Sequence, residues 1–462
     1  MIAHPFWLVW ALVVYLPFED FLLKWIPVPE AIYALLRVLS ELAVYGLFVL
    51  VIGYRFLTRL SFRRTPIDAY LITFVALAVL STLLNGASLF GGAVTLRTLL
   101  RYVALYYVIV NLNIGPSQVK SILFAMLCLA IGESLLGIVQ HLVGVSDFWR
   151  ARSMSVELEG VNVRGLTTGH VELGAALGTF CQSVSMSLYL LIGAIIFLSH
   201  YSSPDRPFRH MKSVAAGGLF VVLCGLMVTY SKGSILAALL AIPVTFFVWR
   251  RFDLMTKFSV FGSLGLILLI SVAWVVGGSG AQFVKAHETY QNPLENFEVL
   301  FSSEYVKRTE NSRQWVIKEV GGTLLRSVTL FGFSPDETTA REKIVDVSGG
   351  TLSKLIAYKG FEDVFWVAMI AYYGFVGVCI FGFMMYNVYK CAIYVMKESD
   401  EYICKVLGGS VAVLLIITIP INLIVRAFEF RTFSFYLWLL MALCVSEYLR
   451  LRSSGPIHLL KP

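Results

Sequence analysis

Residues 119–143 read VKSILFAMLCLAIGESLLGIVQHLV, an apolar run in which Glu133 is the only acidic residue. As an α-helix, a run of this length crosses about 30 Å of hydrocarbon, the thickness of a bilayer core. Similar runs recur along all 462 residues, and the chain is 58% hydrophobic and only 14% charged. A water-soluble domain of this size needs more polar surface, so the sequence predicts an all-α polytopic membrane protein.

The hydropathy pattern predicts about 12 transmembrane helices, with one large polar loop between the ninth and the tenth. The candidate spans are residues 5–18, 39–57, 66–85, 97–113, 119–143, 171–198, 213–230, 234–249, 257–277, 362–388, 406–425 and 434–450. The chain therefore divides into residues 1–277 (spans 1 to 9), residues 278–361 (an extracytoplasmic loop with amphipathic helices) and residues 362–462 (spans 10 to 12 and a cytoplasmic tail). The first apolar run has no Lys or Arg before it and lacks a clear cleavage site, so we expect a retained span.

Basic residues cluster on alternate connections, after spans two, six, eight, ten and twelve. By the positive-inside rule, these connections and both termini are expected in the cytoplasm, and the polar loop outside it. The net charge of +8 then reflects membrane orientation rather than nucleic-acid binding. The seven cysteines are scattered without a CxxC pair or a ligand cluster, so neither a disulfide framework nor a metal site is indicated.

Several arginines fall on the side that this orientation places outside. They are Arg97, Arg101, Arg150, Arg152 and Arg164. The positive-inside bias disfavours arginines there, so either the topology is wrong locally or these side chains serve another purpose, such as binding an anionic ligand. Glu133, as an ionisable residue inside a span, is a functional candidate by default, with an outward arginine as its possible partner.

Arg164 opens the stretch RGLTTGHVELGAALG (residues 164–178), just before an apolar run. Its guanidinium stays charged and offers a planar fork of donors to phosphate oxygens. The alternative is a snorkelling side chain that anchors a helix end. His170 and Glu172 follow in the same stretch, with a helix-start or packing role as their alternative. Lys232, in TYSKGSILAALLA (residues 229–241), is either a solvated lysine at a hairpin tip or a further phosphate contact.

The remaining candidates lie in and after the polar loop. Arg313 and Arg326 belong to SRQWVIKEVGGTLLRSVTLFGFSP, where a plain surface arginine is the alternative. Glu362 and Asp363 stand at the start of span ten, in FEDVFWVAMIAYYGFVGVCIFGF. Acidic residues at a helix start complement the helix dipole. Their functional alternative is a carboxylate that takes a proton from an attacking sugar hydroxyl, or orients it.

Taken in order, the four stretches resemble the motifs of the O-antigen ligase and polymerase superfamily, integral-membrane enzymes that join glycans in bacterial envelopes. RGLTTGHVELGAALG is similar to the family's Arg-x-x-Gly segment that leads into a small-residue helix. TYSKGSILAALLA is similar to its Thr-x-Ser-Arg-Gly segment, with Lys232 at the usual arginine. SRQWVIKEVGGTLLRSVTLFGFSP resembles its Arg-x-x-Trp helix with a following Gly-x-Gly stretch, and FEDVFWVAMIAYYGFVGVCIFGF its His-Asn-x-Tyr-Leu helix. The resemblance covers residues 120–390.

The resemblance implies a GT-C-like fold and a glycosyltransferase that works without metal or other cofactor. Its donor is a glycan on undecaprenyl diphosphate, used at the periplasmic face of the bacterial inner membrane. The implied catalytic residues are Arg164 and Arg313, which would contact the diphosphate, and Asp363 with Glu362 in reserve, which would deprotonate the acceptor. Further substrate-binding candidates are Lys232, His170, Glu172, Arg101 and Arg326.

The acceptor distinguishes the two activities of this family. A polymerase adds the glycan to another lipid-linked repeat, whereas a ligase adds it to lipid A core or to a protein. Lipopolysaccharide ligases usually show a histidine where this chain has Glu362 and Asp363, which favours a polymerase. The expected partners are the lipid-linked oligosaccharide, the glycan or lipid acceptor and the lipid bilayer. Envelope-polysaccharide assembly proteins are further candidate partners, and no nucleic acid is expected.

Two other classes of protein stay open. An organic-anion transporter would use the outward arginines as a vestibule, although the internal repeats and paired broken helices typical of transporters are not evident in the sequence. A non-catalytic scaffold of an envelope assembly would leave the arginine pattern unexplained.

Overall fold

The computed structural model of the chain describes residues 5–145, 147–149, 156–158, 161–163, 175–205, 210–251, 316–327, 330–350, 352, 361 and 364–454. The predicted ninth span, residues 257–277, lies outside the described residues, as does most of the predicted polar loop. Apart from one two-stranded hairpin, the regular elements of the described residues are helices.

The helices are numbered here in chain order along the described residues. They are α1 (Phe6–Tyr15), α2 (Glu19–Leu23), α3 (Glu30–Leu36), α4 (Leu39–Leu57), α5 (Asp68–Leu84), α6 (Leu89–Leu100), α7 (Val103–Leu112), α8 (Pro116–Val143), α9 (Ser183–Ser202), α10 (Met211–Met227), α11 (Lys232–Val248), α12 (Gly322–Arg326), α13 (Glu337–Val347), α14 (Phe365–Glu398), α15 (Tyr402–Ile424) and α16 (Arg431–Ser454). Short 3-10 turns occupy Leu16–Phe18, Asp147–Trp149, Gly178–Phe180 and Ala427–Glu429, and a π-helical turn occupies Val316–Gly321. Strands β1 (Val156–Leu158) and β2 (Val161–Val163) pair antiparallel.

Seven stretches of the described chain are long and apolar enough to cross a membrane: residues 6–23, which comprise α1 and α2, and helices α4, α8, α9, α14, α15 and α16. Helices α6 and α7 are bent by 47° at Arg101 and Tyr102 and make an eighth span if they are counted as one. Helices α5, α10 and α11 are apolar but shorter. This is the architecture of a polytopic helical membrane protein, as the sequence predicts.

The helix bounds follow the predicted spans at most positions. Helix α4 has the predicted bounds, residues 39–57. The prediction that a span begins at residue 171 is wrong, because residues 175–182 are not α-helical and α9 begins at Ser183. The span predicted at residues 97–113 is divided between α6 and α7.

Helices α9, α15 and α16 form the centre of the bundle, whereas α4 and α8 are peripheral. Because lipid tails are as apolar as the side chains, close packing between spans depends on small residues that let backbones approach. A Cβ on Gly408 of α15 would lie 2.6 Å from the carbonyl oxygen of Ala392 in α14. A Cβ on Gly225 of α10 would lie 2.4 Å from the Cβ of Ser134 in α8. A side chain at either glycine would push two helices apart.

The spans run between two ends of the bundle. At the first, which we call the Arg63 end, α4 ends and α7 ends, and Arg55 and Arg63 both bond to Asn111. The second, which we call the Glu41 end, holds the end of α2, the start of α4, the bend between α6 and α7, and the starts of α9, α11, α14 and α16. The described members of the predicted cytoplasmic clusters lie at or near the Arg63 end: Arg55, Arg59, Arg63, Arg64, Lys212, Arg250, Arg251, Lys390, Lys397, Lys405, Arg450 and Arg452. Lys390 lies about two turns before the end of α14.

Helix α14 is broken at Gly374, whose φ of +67° and ψ of −176° are not helical. The break frees main-chain groups, which residues 330–333 satisfy. Phe333 N donates to Ala371 O at 2.7 Å, and Val376 N donates to Leu330 O at 3.1 Å. The two backbones are so close that a Cβ on Gly374 would lie 2.2 Å from Leu330 O. Glycine is therefore required at this position by both its conformation and the space available.

We expect Gly374→Ala to lower the free energy of unfolding by about 2–4 kcal/mol, because the substitution combines a strained positive φ with main-chain overlap. Thermal unfolding in detergent measures the effect. Gly382→Ala is the matched control, since Gly382 lies in the same helix with open space at its Cβ position. That control should be neutral or slightly stabilising. Equal losses in both variants would contradict the role of residues 330–333 in closing the break.

Candidate functional site

Most of the predicted site residues lie outside the described residues. These are Arg164, His170, Glu172, Arg313, Glu362 and Asp363. Lys232, Arg101 and Arg326 are described, and so are the segments that flank the others. The site is therefore built up here from those flanking segments and from the charged side chains that surround them.

Residues 175–182, which we call the strap, include the end of the first stretch and lead into α9. Two buried side chains of α8 hold the strap. Gln140 Oε1 accepts hydrogen bonds from the main-chain N–H groups of Leu177 (3.0 Å) and Gly178 (2.9 Å), and Gln140 Nε2 donates to Gly178 O at 3.3 Å. Glu133 Oε2 accepts from Thr179 N at 2.9 Å, and Glu133 Oε1 accepts from the Thr179 hydroxyl at 2.5 Å.

Glu133 thus has a different partner from the expected outward arginine. Its described contacts are with the strap, where Gly178 adopts a φ of +58°. A Cβ at Gly178 would lie 2.4 Å from Glu133 Oε2. The carboxylate therefore holds the backbone at a position that glycine alone can occupy.

The described parts of the four stretches come together in pairs. Ala176 N of the strap donates to Val228 O at 2.9 Å, which joins the first stretch to the residue before the second. In the third stretch, a Cβ on Gly321 would lie 3.7 Å from Val367 of the fourth, and residues 330–333 close the α14 break.

The end of α15 links these two pairs. Gly233 of the second stretch packs so closely on Ile424 that a Cβ there would lie 2.9 Å from the Ile424 Cγ2 atom. Trp366 Nε1 of the fourth stretch donates to Ile419 O at 2.9 Å. The second and the fourth stretches therefore contact the last turns of α15, whereas the first adjoins the second and the third adjoins the fourth.

Lys232 is the first residue of α11 and is half-buried at the Glu41 end. Behind it, the hydroxyl groups of Ser187, Ser231 and Ser234 form a buried network with oxygen–oxygen distances of 2.8 and 3.2 Å. Arg326, at the end of α12, is exposed. An exposed guanidinium at this place is compatible with either a ligand contact or the plain surface position that the sequence allowed.

Arg101 and Arg97 have a protein carboxylate between them. Arg101 Nε lies 3.2 Å from Glu41 Oε1, and Arg97 contacts Glu41 Oε2. The Glu41 side chain is buried, whereas Arg97 is partly exposed. Glu41 supplies the opposite charge for both arginines. An anionic ligand is therefore not needed to explain why they lie on this side.

A second group of charges adjoins this pair at the start of α16. Arg431 NH2 lies 3.1 Å from Glu19 Oε2 and 3.0 Å from Asp20 Oδ1. Ser40 Oγ donates to Glu19 Oε2 at 3.2 Å, and Arg37 Nε lies 3.7 Å from Asp20. Glu19 is fully buried, and Arg431 supplies the positive charge within ion-pair distance of it.

Two further carboxylates border the charged group outside the spans. Burial raises the pKa of Glu429 above its ordinary value, although the neighbouring Arg426 acts to lower it. Burial also acts to raise the pKa of Asp336, but hydrogen bonds from Thr339 and Thr338 outweigh it and leave that pKa below its ordinary value. Asp336 caps the start of α13 through its bond to Thr339 N, which explains its ionised state.

The comparisons with known proteins add no assignment to this geometry. No protein-family model matches the chain, and no curated protein matches its sequence. Within the described ranges, no group of three or more His, Cys, Asp or Glu side chains could hold a metal ion.

We expect Arg431→Ala to lower the free energy of unfolding by about 3–5 kcal/mol, because it leaves the buried Glu19 carboxylate without its counter-charge. Adding Glu19→Gln to this variant should restore part of the loss, since the uncompensated charge is then removed. Chemical or thermal unfolding in detergent measures both.

Arg452→Ala serves as the control, since Arg452 is exposed near the other end of α16. It should stay within about 0.5 kcal/mol of the unsubstituted protein. A double variant no more stable than Arg431→Ala would show that Glu19 does not depend on Arg431.

Proposed function

We propose that the protein is a polysaccharide polymerase that joins glycan repeats carried on undecaprenyl diphosphate by inverting glycosyl transfer. The observation that carries the proposal is the series of contacts that links the four motif stretches through α15, although their described parts are spread from residue 175 to residue 383 of the chain. Segments this far apart in sequence and adjacent in space are what a shared site requires.

In the proposed reaction, Arg164 and Arg313 hold the departing diphosphate, with Lys232 as a third cation. Negative charge grows on the diphosphate as the glycosidic bond breaks, and preorganised cations near that charge lower the barrier. Asp363, or Glu362 in its place, accepts the proton of the attacking sugar hydroxyl. The polar loop covers the site and excludes water, which would otherwise hydrolyse the donor.

The proposal also includes an orientation in the bacterial inner membrane. The basic residues of the Arg63 end favour a cytoplasmic location for that end, so the Glu41 end faces the periplasm. Helix α1 begins and α16 ends at the Arg63 end, in keeping with two cytoplasmic termini. The bundle has twelve spans, of the GT-C-like kind, when the bent pair, the three shorter apolar helices and the predicted span at residues 257–277 are each counted.

Arg313→Ala tests the site. We expect it to reduce polymer formation from a lipid-linked donor by about 100-fold or more, as loss of a charge-stabilising donor does in other enzymes, while the protein remains inserted in the membrane. Gel analysis of the polysaccharide measures product. Arg64→Ala, an exposed arginine of the Arg63 end, is the matched control and should leave product unchanged. Normal polymer in the Arg313→Ala variant would remove Arg313 from the site.

Deleting the gene separates polymerase from ligase. Loss of a polymerase leaves single repeats on the lipid, whereas loss of a ligase leaves long chains on the lipid. We expect single repeats, because Glu362 and Asp363 stand where ligases usually have a histidine. Long chains that accumulate on the lipid would instead favour a ligase over a polymerase.

A transporter of organic anions is the second candidate, favoured by the bend at Arg101 and Tyr102 and by the break at Gly374. Transporters use broken helices to expose main-chain groups to their substrates. At Gly374, however, residues 330–333 already satisfy the freed groups. Purified protein with lipid-linked donor in detergent distinguishes the classes, since a transporter forms no polymer there.

A further inference from the structure

The strap is held by side chains of α8 rather than by secondary structure of its own. Glu133 and Gln140 stand seven residues apart, nearly two helical turns, so both face the strap. Between them they accept hydrogen bonds from three consecutive main-chain N–H groups, those of Leu177, Gly178 and Thr179. The backbone conformation of the strap is thereby fixed residue by residue.

Stability alone does not explain this arrangement. Had α9 begun at residue 171, as the hydropathy predicts, helical hydrogen bonds would have satisfied the same N–H groups. No carboxylate would then be needed within a span, where an ionisable group is costly. The buried Glu133 thus indicates that the chain requires a particular non-helical conformation here.

Two contacts carry the position of the strap to Lys232. Ala176 N donates to Val228 O, and from Val228 the chain makes a tight turn in which Tyr230 adopts a φ of +52°. The Tyr230 ring packs edge-on against His141, the neighbour of Gln140, with ring centroids 5.7 Å apart. Lys232 follows directly as the first residue of α11.

We propose that Glu133 and Gln140 are positioning residues that hold the strap against Val228 and thereby fix where the Lys232 ammonium lies. The meaning of that position for diphosphate binding rests on the proposed function, whereas the position itself does not. The reactivity of Lys232 towards a water-soluble amine reagent therefore tests the proposal without any assay of activity.

Gln140→Leu removes all three bonds of the Gln140 side chain at nearly constant volume. In the purified full-length chain, we expect it to change the labelling rate of Lys232, followed by peptide mass spectrometry, by about fivefold or more, because main-chain hydrogen bonds of this kind set local opening equilibria. Gln140→Glu keeps both acceptor bonds but loses the donor to Gly178 O, so it should change the rate less than Gln140→Leu does. Gln118→Leu is the matched control, since Gln118 bonds to Gly115 N at the opposite end of α8, and it should leave Lys232 unaffected.

A folded Gln140→Leu variant with an unchanged Lys232 labelling rate would overturn the proposal, as would an equal change in Gln118→Leu. If Gln140→Leu does not accumulate, Glu133→Leu and Thr179→Val test the contacts between α8 and the strap instead. An unchanged Lys232 labelling rate in both of these variants would overturn the proposal. The native Cys181 does not interfere, because its side chain is buried and mass spectrometry follows only the peptide that carries Lys232.

An activity measurement separates this inference from the proposed function. If the chain makes polymer, Gln140→Leu should raise the KM for the lipid-linked donor, and Gln140→Glu should raise it less. If Gln140→Leu forms polymer with an unchanged KM and an unchanged Lys232 labelling rate, the positioning role is wrong and the proposed function still stands. If the unsubstituted protein makes no polymer, the proposed function fails, and the labelling result still decides the positioning role.

Discussion

The structure depends on one constraint: inside a bilayer, each main-chain N–H and C=O that leaves a helix must find a partner within the protein. Within the described part of the motif stretches, two segments depart from α-helical structure at a positive-φ glycine, and each has a partner elsewhere in the chain. Residues 330–333 close the break at Gly374, and Gln140 and Glu133 hold the strap. In both places a positive-φ glycine lies so close to its partner that no other residue fits.

The same constraint governs charge. Glu19 and Glu41 are buried at the Glu41 end, and each has an arginine within ion-pair distance. Because an unpaired ion is costly at this depth, these arginines are held in the fold first of all as counter-charges. The positions of Arg97 and Arg101 are thus explained by Glu41 without a ligand.

These two rules explain what the sequence could and could not predict. The apolar length of a span is a local property, so the bounds of α4 are readable from composition alone. The partner of Arg101 is Glu41, on another helix, and no local sequence pattern connects them. The available signal was a single acidic residue in an apolar span, which needs a polar partner elsewhere in the chain. The late start of α9 was missed because averaged hydropathy does not register that Gln140 and Glu133 can replace helical hydrogen bonds.

The two departures from helical structure also bear on where function lies. A sequence that only has to cross the membrane has no need of non-helical backbone at these places, and each such place requires matching side chains elsewhere in the chain. Here the strap begins in the first stretch, Gly374 belongs to the fourth, and the residues that close its break belong to the third. Non-helical backbone of this kind costs free energy and needs hydrogen-bond partners elsewhere in the chain, and such backbone occurs where a site needs a defined geometry. The unusual backbone of the described residues therefore belongs to the same stretches that we propose form the site.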